Sequence, residues 1–377
     1  MHLSRRTFCS TASAFALAAC TDTVTSGGTS RAIAQDLRPV KNADYDAWVA
    51  AFRPRARQQG ISEATLTAGF RGTGYLPGVV TRDRNQTEFK RSLEDYLSIA
   101  VSDERVSQGR GALARHQTTL SAIEQRYGVQ PEIVTAIWGL ESFYGGRRGN
   151  IPVISATSTL AYDGRRGAFF EKQLIAALGI LQNGDVTPDR LTGSWAGAMG
   201  HTQFIPTSYE AFAVDFTGDG RRDIWSDDPS DALASAAAYL NRNGWRRGQS
   251  WGREVPPGSS GGTLQPQAGG PRFAVNSNFR VIKRYNNSDA YAIGVGHLAD
   301  RIKGAPPLQT PFPPDANGLT KADRISIQNG LTASGFDTGG ADGVIGPKTH
   351  EAIRAFQTSK GLPVTGEPSV AILRALN

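Results

Sequence analysis

The sequence predicts a mainly α-helical protein, with one large helical domain followed by a small three-helix domain. Three observations predict it. Apolar residues recur at helical spacing over residues 45–59, 87–100, 103–127, 131–144 and 231–243. A proline-rich run, Pro306-Pro-Leu-Gln-Thr-Pro-Phe-Pro-Pro314, divides the chain late. With 377 residues, 39% of them hydrophobic and 20% charged, the chain is long enough for a large soluble domain plus a small one.

The N-terminus is an address label. Arg5 and Arg6 precede a short Ala-rich apolar stretch, so residues 1–19 read as a signal peptide too short to span a membrane. Ser4-Arg5-Arg6-Thr7-Phe8 looks like a twin-arginine export signal. Leu17-Ala18-Ala19-Cys20 resembles a lipobox, in which Cys20 is lipidated and anchors the protein to the outer membrane. A plain signal peptide is the alternative, and Ala32-Ile33-Ala34 offers a rival cleavage site. Residues 20–39, rich in Ser, Thr and Gly, read as a flexible tether, which places the enzyme-sized body in the periplasm. Both cysteines, Cys9 and Cys20, precede the body, so the body has neither a disulfide nor a cysteine metal site.

Residues 40–305 form the large domain and hold all six tryptophans. Pro131 after a turn and Asp231 before an Ala-rich run read as helix starts. The Pro/Gly/Ser-rich stretch 255–272 reads as a mobile surface loop. Residues 306–317 are a proline linker. Residues 318–377 form the small domain, with helices expected at 321–334, 347–360 and 368–376 and a core of Ile353, Phe356 and Leu362. No run of 18 apolar residues predicts a membrane helix. The formal charge of +7, or +5 without Arg5 and Arg6, suits an anionic polymer or membrane surface and equally a plain solvated surface, and no nucleic-acid motif accompanies it. A monomer is expected.

The chemistry centres on Glu141, within Ile137-Trp-Gly-Leu-Glu-Ser-Phe-Tyr-Gly145. Bulky apolar neighbours would desolvate its carboxylate and raise its pKa, as a general acid requires. Alone, such a glutamate reads as structural. Two further stretches change that reading. Residues 193–209 mix small residues, aromatics and amides, and residues 280–291 add arginines, tyrosines and asparagines. Aromatic faces for sugars, with amides for hydroxyls, make a saccharide groove. Elsewhere, Asp215, Thr217 and Asp219 stand at positions 1, 3 and 5 of a calcium-type loop, with Gly220 at 6 and the Arg221 carbonyl at 7. The late glutamate of such a loop is missing, since Ser226 is at position 12. A turn that binds nothing is the alternative.

Together, Gly139-Leu-Glu-Ser142, residues 193–209 and Tyr285-Asn-Asn-Ser288 resemble the lytic murein transglycosylase B family over most of residues 40–303. The resemblance implies a lysozyme-like transglycosylase domain with helical accessory parts. It implies Glu141 as single acid/base, and Tyr96, Ser194, Gln203, Phe204, Tyr285, Asn286 and Tyr291 as cleft residues. Arg165 and Arg166 match a paired-arginine site for peptide carboxylates. Asp231 matches the residue that completes the metal loop, implying a structural calcium and no required cofactor. His201 and Thr202 stand where the family usually has Tyr-Gly. Asp342 to Gln357, followed by Gly361-Leu-Pro-Val-Thr-Gly366, resemble the common peptidoglycan-binding domain. The implied substrate is the glycan strand of peptidoglycan. The implied reaction cleaves the β-1,4 bond between N-acetylmuramic acid and N-acetylglucosamine, leaving a 1,6-anhydromuramyl end. Two rivals remain: a hydrolytic muramidase with Asp163, Asp215 or Asp223 as second acid, and a non-catalytic wall-binding lipoprotein.

Overall fold

The computed structural model describes residues 35–85, 92–259 and 262–376. The export leader, Cys20 and the rival site at 32–34 lie outside the described residues, as does the start of the helix expected from 87. The far end of the expected tether is ordered. A 3₁₀ turn, Gln35–Leu37, buries Leu37 against Leu76 and Val79, and Asp36 pairs with Arg82. The tether expected over 20–39 therefore does not reach residue 39, because the apolar side chain of Leu37 already has a core to join.

The first helices are α1 (Ala43–Gln58), α2 (Glu63–Gly69), α3 (Pro77–Arg84) and α4 (Leu93–Ala100). The segment expected as one helix over 103–127 is two, α5 (Asp103–Arg115) and α6 (Gln117–Tyr127). His116, at φ −108° and ψ 19°, leaves helical geometry and serves as end cap of one and start of the other. Apolar periodicity continues across this break, so pattern alone does not reveal it. Next come α7 (Pro131–Ser142), strand β1 (Ile151–Pro152), α8 (Val153–Asp163), α9 (Gly167–Gln182), strand β2 (Thr192–Gly193), α10 (Pro206–Phe212) and α11 (Ser230–Arg242). Strands β1 and β2 pair antiparallel, with Ile151 opposite Gly193.

Most of the described residues in 255–272 are loop, as expected, but the segment also carries a short strand and joins two others into a small antiparallel sheet. Strands β3 (Gly252–Val255), β4 (Thr263–Leu264) and β5 (Arg272–Val275) lie in the order β3-β5-β4. Strands of two to four residues are too short to show a period-2 pattern. Helices α12 (Ser277–Tyr285) and α13 (Asp289–Lys303) complete the large domain. No helix among the described residues is long and apolar enough to cross a membrane.

Two of the three apolar clusters described in this domain meet at a seam. One gathers side chains of α4–α7 and α11–α13; the other gathers α1, α2 and α8–α10. Tyr239 and Tyr285 pack against both, so the seam between the cores is lined by tyrosine. Helix α7 runs through the first core and buries nine of its residues, Ile133 to Leu140 and Ser142.

The small domain has the three expected helices, α14 (Lys321–Ala333), α15 (Pro347–Ser359) and α16 (Val370–Leu376), around Ile327, Leu331, Ile353, Phe356 and Ile372. Leu362, expected in that core, is 37% exposed. Thr320 and Asp323 form a reciprocal capping box at the start of α14. The linker is not a free spacer. Leu308 and Phe312 pack on the large domain's core, and the backbone N–H groups of Gln309 and Thr310 donate to Glu254, each at 2.8 Å. Buried Arg324 of α14 donates to Glu94 (2.8 Å) and Asp95 (3.1 Å) in the first turn of α4, and to Asp315 (3.1 Å). Acids in the first turn of α4 also suit the helix dipole.

Candidate active site

Glu141 stands in the last turn of α7, and the chain turns sharply just after it. Phe143 (φ 52°) and Tyr144 (φ 56°) both take the left-handed conformation, which costs non-glycine residues about 1–3 kcal/mol each. The surroundings hold them there. Phe143 N–H donates to Gly139 O at 3.1 Å, and Tyr144 N–H to Trp138 O at 3.3 Å, closing the helix end. The guanidinium groups of Arg105 and Arg147 lie 5.1 and 4.8 Å from the centre of the Phe143 ring. Tyr144 OH donates to Arg105 O at 2.8 Å. Gly139 is required here, because a Cβ would lie 2.6 Å from the Tyr144 ring.

Helices α12 and α13 supply the facing wall. Their corner at Asn286–Ser288 sets the Tyr285 and Tyr291 rings nearly parallel, 13° apart with centroids at 6.3 Å. Tyr291 OH donates to Glu141 Oε1 at 2.6 Å, and Tyr285 OH donates to Thr202 O at 2.8 Å. Glu141 keeps some exposed surface, yet apolar and aromatic groups crowd its carboxyl. That desolvation raises its pKa from 4.5 to about 7, against the lowering effect of the Tyr291 hydroxyl. No other carboxylate contributes to the shift. Asp163 is paired with Arg84 at 2.5 Å, Asp223 caps Trp225 and Ser226, and Asp215 accepts from Gly218 and Gly220. Each acid considered as a second group is thus engaged elsewhere.

The expected cleft residues take distinct places. Tyr96 packs by its ring edge on Gly294, one turn along α13 from Tyr291. Asn286 and Tyr285 end α12 half-buried beside Glu141's wall. Ser194 is half-buried, and its hydroxyl accepts from Ala198 N–H at 3.1 Å. Gln203 (φ 51°) uses its amide nitrogen on Arg148 O and Gly200 O. Phe204 is only 2% exposed and lies beneath Tyr285, at 5.8 Å between centroids, so it supports the aromatic wall rather than facing the groove. Arg165 and Arg166 both bind buried Asp83, at 2.6 and 2.5 Å, and Arg166 also stacks on Phe170. Burial would raise the Asp83 pKa, but the two arginines hold it below the usual carboxylate value. Arg165 remains 46% exposed and so keeps a face for an incoming anion. Asp83 lies more than 80 residues away in sequence, and no local motif pointed to it.

The acidic loop draws three carboxylates together. Oxygens of Asp215, Asp219 and Asp231 lie within 4.8 Å of one another. Burial raises the Asp231 pKa, with N–H groups of Phe216, Thr217 and Asp223 opposing and the Asp215 charge adding to the rise. Thr217 Oγ1 sits 3.4 Å from Asp215 Oδ1, and Arg221 offers only its carbonyl, its N–H being donated to Asp219. Converging oxygen ligands of like charge fit a hard divalent cation.

With this geometry in place, comparison with known proteins decides the family. Residues 44–262 and 257–300 match the model of the transglycosylase SLT domain. The chain belongs to that family. Residues 320–376 match a peptidoglycan binding domain. Among solved structures, this SLT-domain chain is similar to SltB3 from Pseudomonas aeruginosa in complex with NAG-NAM-pentapeptide: 43% identity, 89% of this chain, all of that one, TM-score 0.70. It is also similar to the Escherichia coli lytic transglycosylase Slt35 in complex with calcium, at 27% identity, 70% of this chain, 93% of that one and TM-score 0.59. Among curated proteins, membrane-bound lytic murein transglycosylase B of Escherichia coli K12 is 32% identical over 241 residues, 55% of this chain. The match spans 66% of that relative's length.

Proposed function

We propose that this protein is a lytic transglycosylase of peptidoglycan, with Glu141 as its single acid/base. The observation that carries the reading is a carboxyl held near pKa 7 in an aromatic cleft, with no second carboxylate acting on it. Ordinary glycosidases place two carboxyl groups across the scissile bond. Here Glu141 gives its proton to the β-1,4 oxygen between N-acetylmuramic acid and N-acetylglucosamine, and the bond to the muramyl C1 breaks. The muramyl acetamido group stabilises the oxocarbenium-like centre. Glu141, now a carboxylate, takes the proton of the muramyl C6 hydroxyl as its oxygen attacks C1. A 1,6-anhydromuramyl end forms, no water is consumed, and Glu141 is protonated again.

Tyr96, Ser194, Gln203, Tyr285, Asn286 and Tyr291 line or support the sugar sites, while Arg165 and Arg166 suit a peptide carboxylate. The similarity to an enzyme solved with NAG-NAM-pentapeptide supports peptide-bearing strands as substrate. Asp215, Asp219 and Asp231, with Thr217 and the Arg221 carbonyl, would hold a calcium ion that stiffens the loop and takes no part in bond breaking. The C-terminal domain holds the wall. Export and anchoring through lipidated Cys20 place the enzyme in the periplasm at the outer membrane.

Product analysis tests the reaction. Sacculi digested with the wild type should yield anhydromuramyl ends, and Glu141→Gln should yield none. Products heavier by one water would replace this reading with a hydrolytic muramidase. Unchanged turnover in Glu141→Gln would remove Glu141 from the chemistry.

A further inference from the structure

His201, which stands where the family usually has tyrosine, is buried beneath the Glu141 helix end, 3% exposed. It sits at the tip of a tight turn closed by Met199 and Phe204, whose backbones exchange hydrogen bonds of 2.8 and 3.1 Å. Every polar group of His201 is engaged, and the pattern has a direction. Trp138 Nε1–H donates to His201 Nδ1 at 3.1 Å, so Nδ1 is the bare nitrogen and Nε2 carries the proton. That proton goes to Ser226 O at 2.7 Å. Arg148 donates to the same carbonyl and to Trp225 O, each at 2.8 Å, and to Asp227. The His201 carbonyl accepts from Ser142 Oγ at 2.6 Å, and its N–H donates to Ile224 O at 3.1 Å.

Trp138 and Ser142 are one helical turn apart on α7 and flank Glu141, three residues before it and one after. They are therefore two anchors on a single face of the helix end, and His201 holds both. Gly145, at φ 87°, closes the arrangement. A Cβ there would lie 2.6 Å from the imidazole, and Gly145 N–H donates to Ser142 Oγ at 3.0 Å. On the far side, His116 packs edge-on against Trp138 at 5.3 Å.

We propose that His201 is a positioning residue for Glu141, its neutral imidazole and its carbonyl fixing the end of α7 to the segment 224–226. The inference rests on the reading of Glu141 as acid/base. A helix end that turns through two left-handed residues stores strain and needs such a clamp to keep one geometry. The imidazole suits the task because it accepts from one side and donates to the other. A glutamine side chain, with an amide oxygen toward Trp138 and an amide nitrogen toward Ser226, can do the same.

The test compares His201→Phe, His201→Gln, Ser142→Ala and Glu141→Gln on a soluble glycan fragment, with kcat, KM and the pH profile of kcat/KM measured for each. His201→Phe should lower kcat roughly 10- to 100-fold with KM little changed, the scale expected for a small misplacement of a reacting group. Its alkaline limb should move to lower pH, because a loosened helix end admits water to the Glu141 carboxyl. Ser142→Ala should show the same two effects more weakly. His201→Gln should restore most of the kcat and the position of the limb. A variant that merely folds less well would scale kcat without moving the limb. If His201→Phe does not fold, Ser142→Ala carries the test. Wild-type kcat and an unmoved limb in whichever of these two variants folds would overturn the inference while Glu141→Gln stays inactive. Activity in Glu141→Gln would instead overturn the reading on which it rests.

Discussion

The hydroxyl of Tyr291 and the carboxyl of Glu141 share a hydrogen bond of 2.6 Å, contributed by two helices 150 residues apart in sequence. The bond favours the ionised carboxylate and so opposes the burial that raises its pKa. Tyr291→Phe removes the donor and leaves the ring. The alkaline limb of kcat/KM should then move to higher pH than in the wild type. A limb that moves down would show that the hydroxyl does not act on the charged form.

Burial of Glu141 also makes stability depend on pH. Its folded pKa, about 7, lies above its ordinary value of 4.5. The folded protein therefore binds the extra proton between those values. Its contribution is fully present below pH 4.5 and is lost as pH rises through 7. Glu141→Gln cannot titrate, so its stability relative to the wild type should grow over this window, by up to about 3 kcal/mol. Urea melts at pH 5 and pH 8 measure the difference. An equal offset at both pH values would contradict the raised pKa.

For the loop of Asp215, Asp219 and Asp231, added calcium should raise the melting temperature. Saturation at a hundredfold excess over Kd corresponds to about 2.7 kcal/mol. Asp231→Asn keeps an oxygen for the N–H groups of Phe216 and Thr217 but weakens the cation site, and should abolish the calcium-dependent rise. Glycan cleavage at saturating substrate should change far less than the melting temperature.

Arg324 is 5% exposed and faces Glu94, Asp95 and Asp315. Removing one partner of a buried ion pair costs about 3–5 kcal/mol, because the others stay desolvated. Arg324→Met should loosen the small domain, raise the radius of gyration in solution scattering and expose residues 306–317 to protease. Because Arg324 also braces its own domain through Gly343 O at 2.7 Å, the double variant Glu94→Gln with Asp95→Asn serves from the other side. A compact profile in both variants would mean that the linker contacts alone hold the domains together.

Much of this was legible in the sequence. Pro131 and Pro347 mark the starts of α7 and α15, and the expected bounds of α7, α11 and α15 lie within two residues of the observed ones, because proline and apolar periodicity act locally. The desolvation of Glu141 is legible in its bulky apolar sequence neighbours, whereas the wall that faces it comes from α12 and α13. What sequence could not reveal depends on distant partners. Asp83 beneath Arg165 and Arg166, Arg324 against α4, and His201 under α7 each join segments with no shared pattern. Phe204 reads as a cleft residue from the stretch it stands in, whereas its ring turns inward beneath Tyr285.

The docked linker has a consequence for how wall binding helps cutting. A module on a loose tether raises the effective concentration of any strand within reach, whatever its direction, and that gain falls as the tether lengthens. Here Glu254 holds the linker backbone and Arg324 fastens the module to the helix of Tyr96. On the proposed function, avidity then comes with a bearing, because a module held in one orientation presents whatever strand it binds to the cleft in that same orientation.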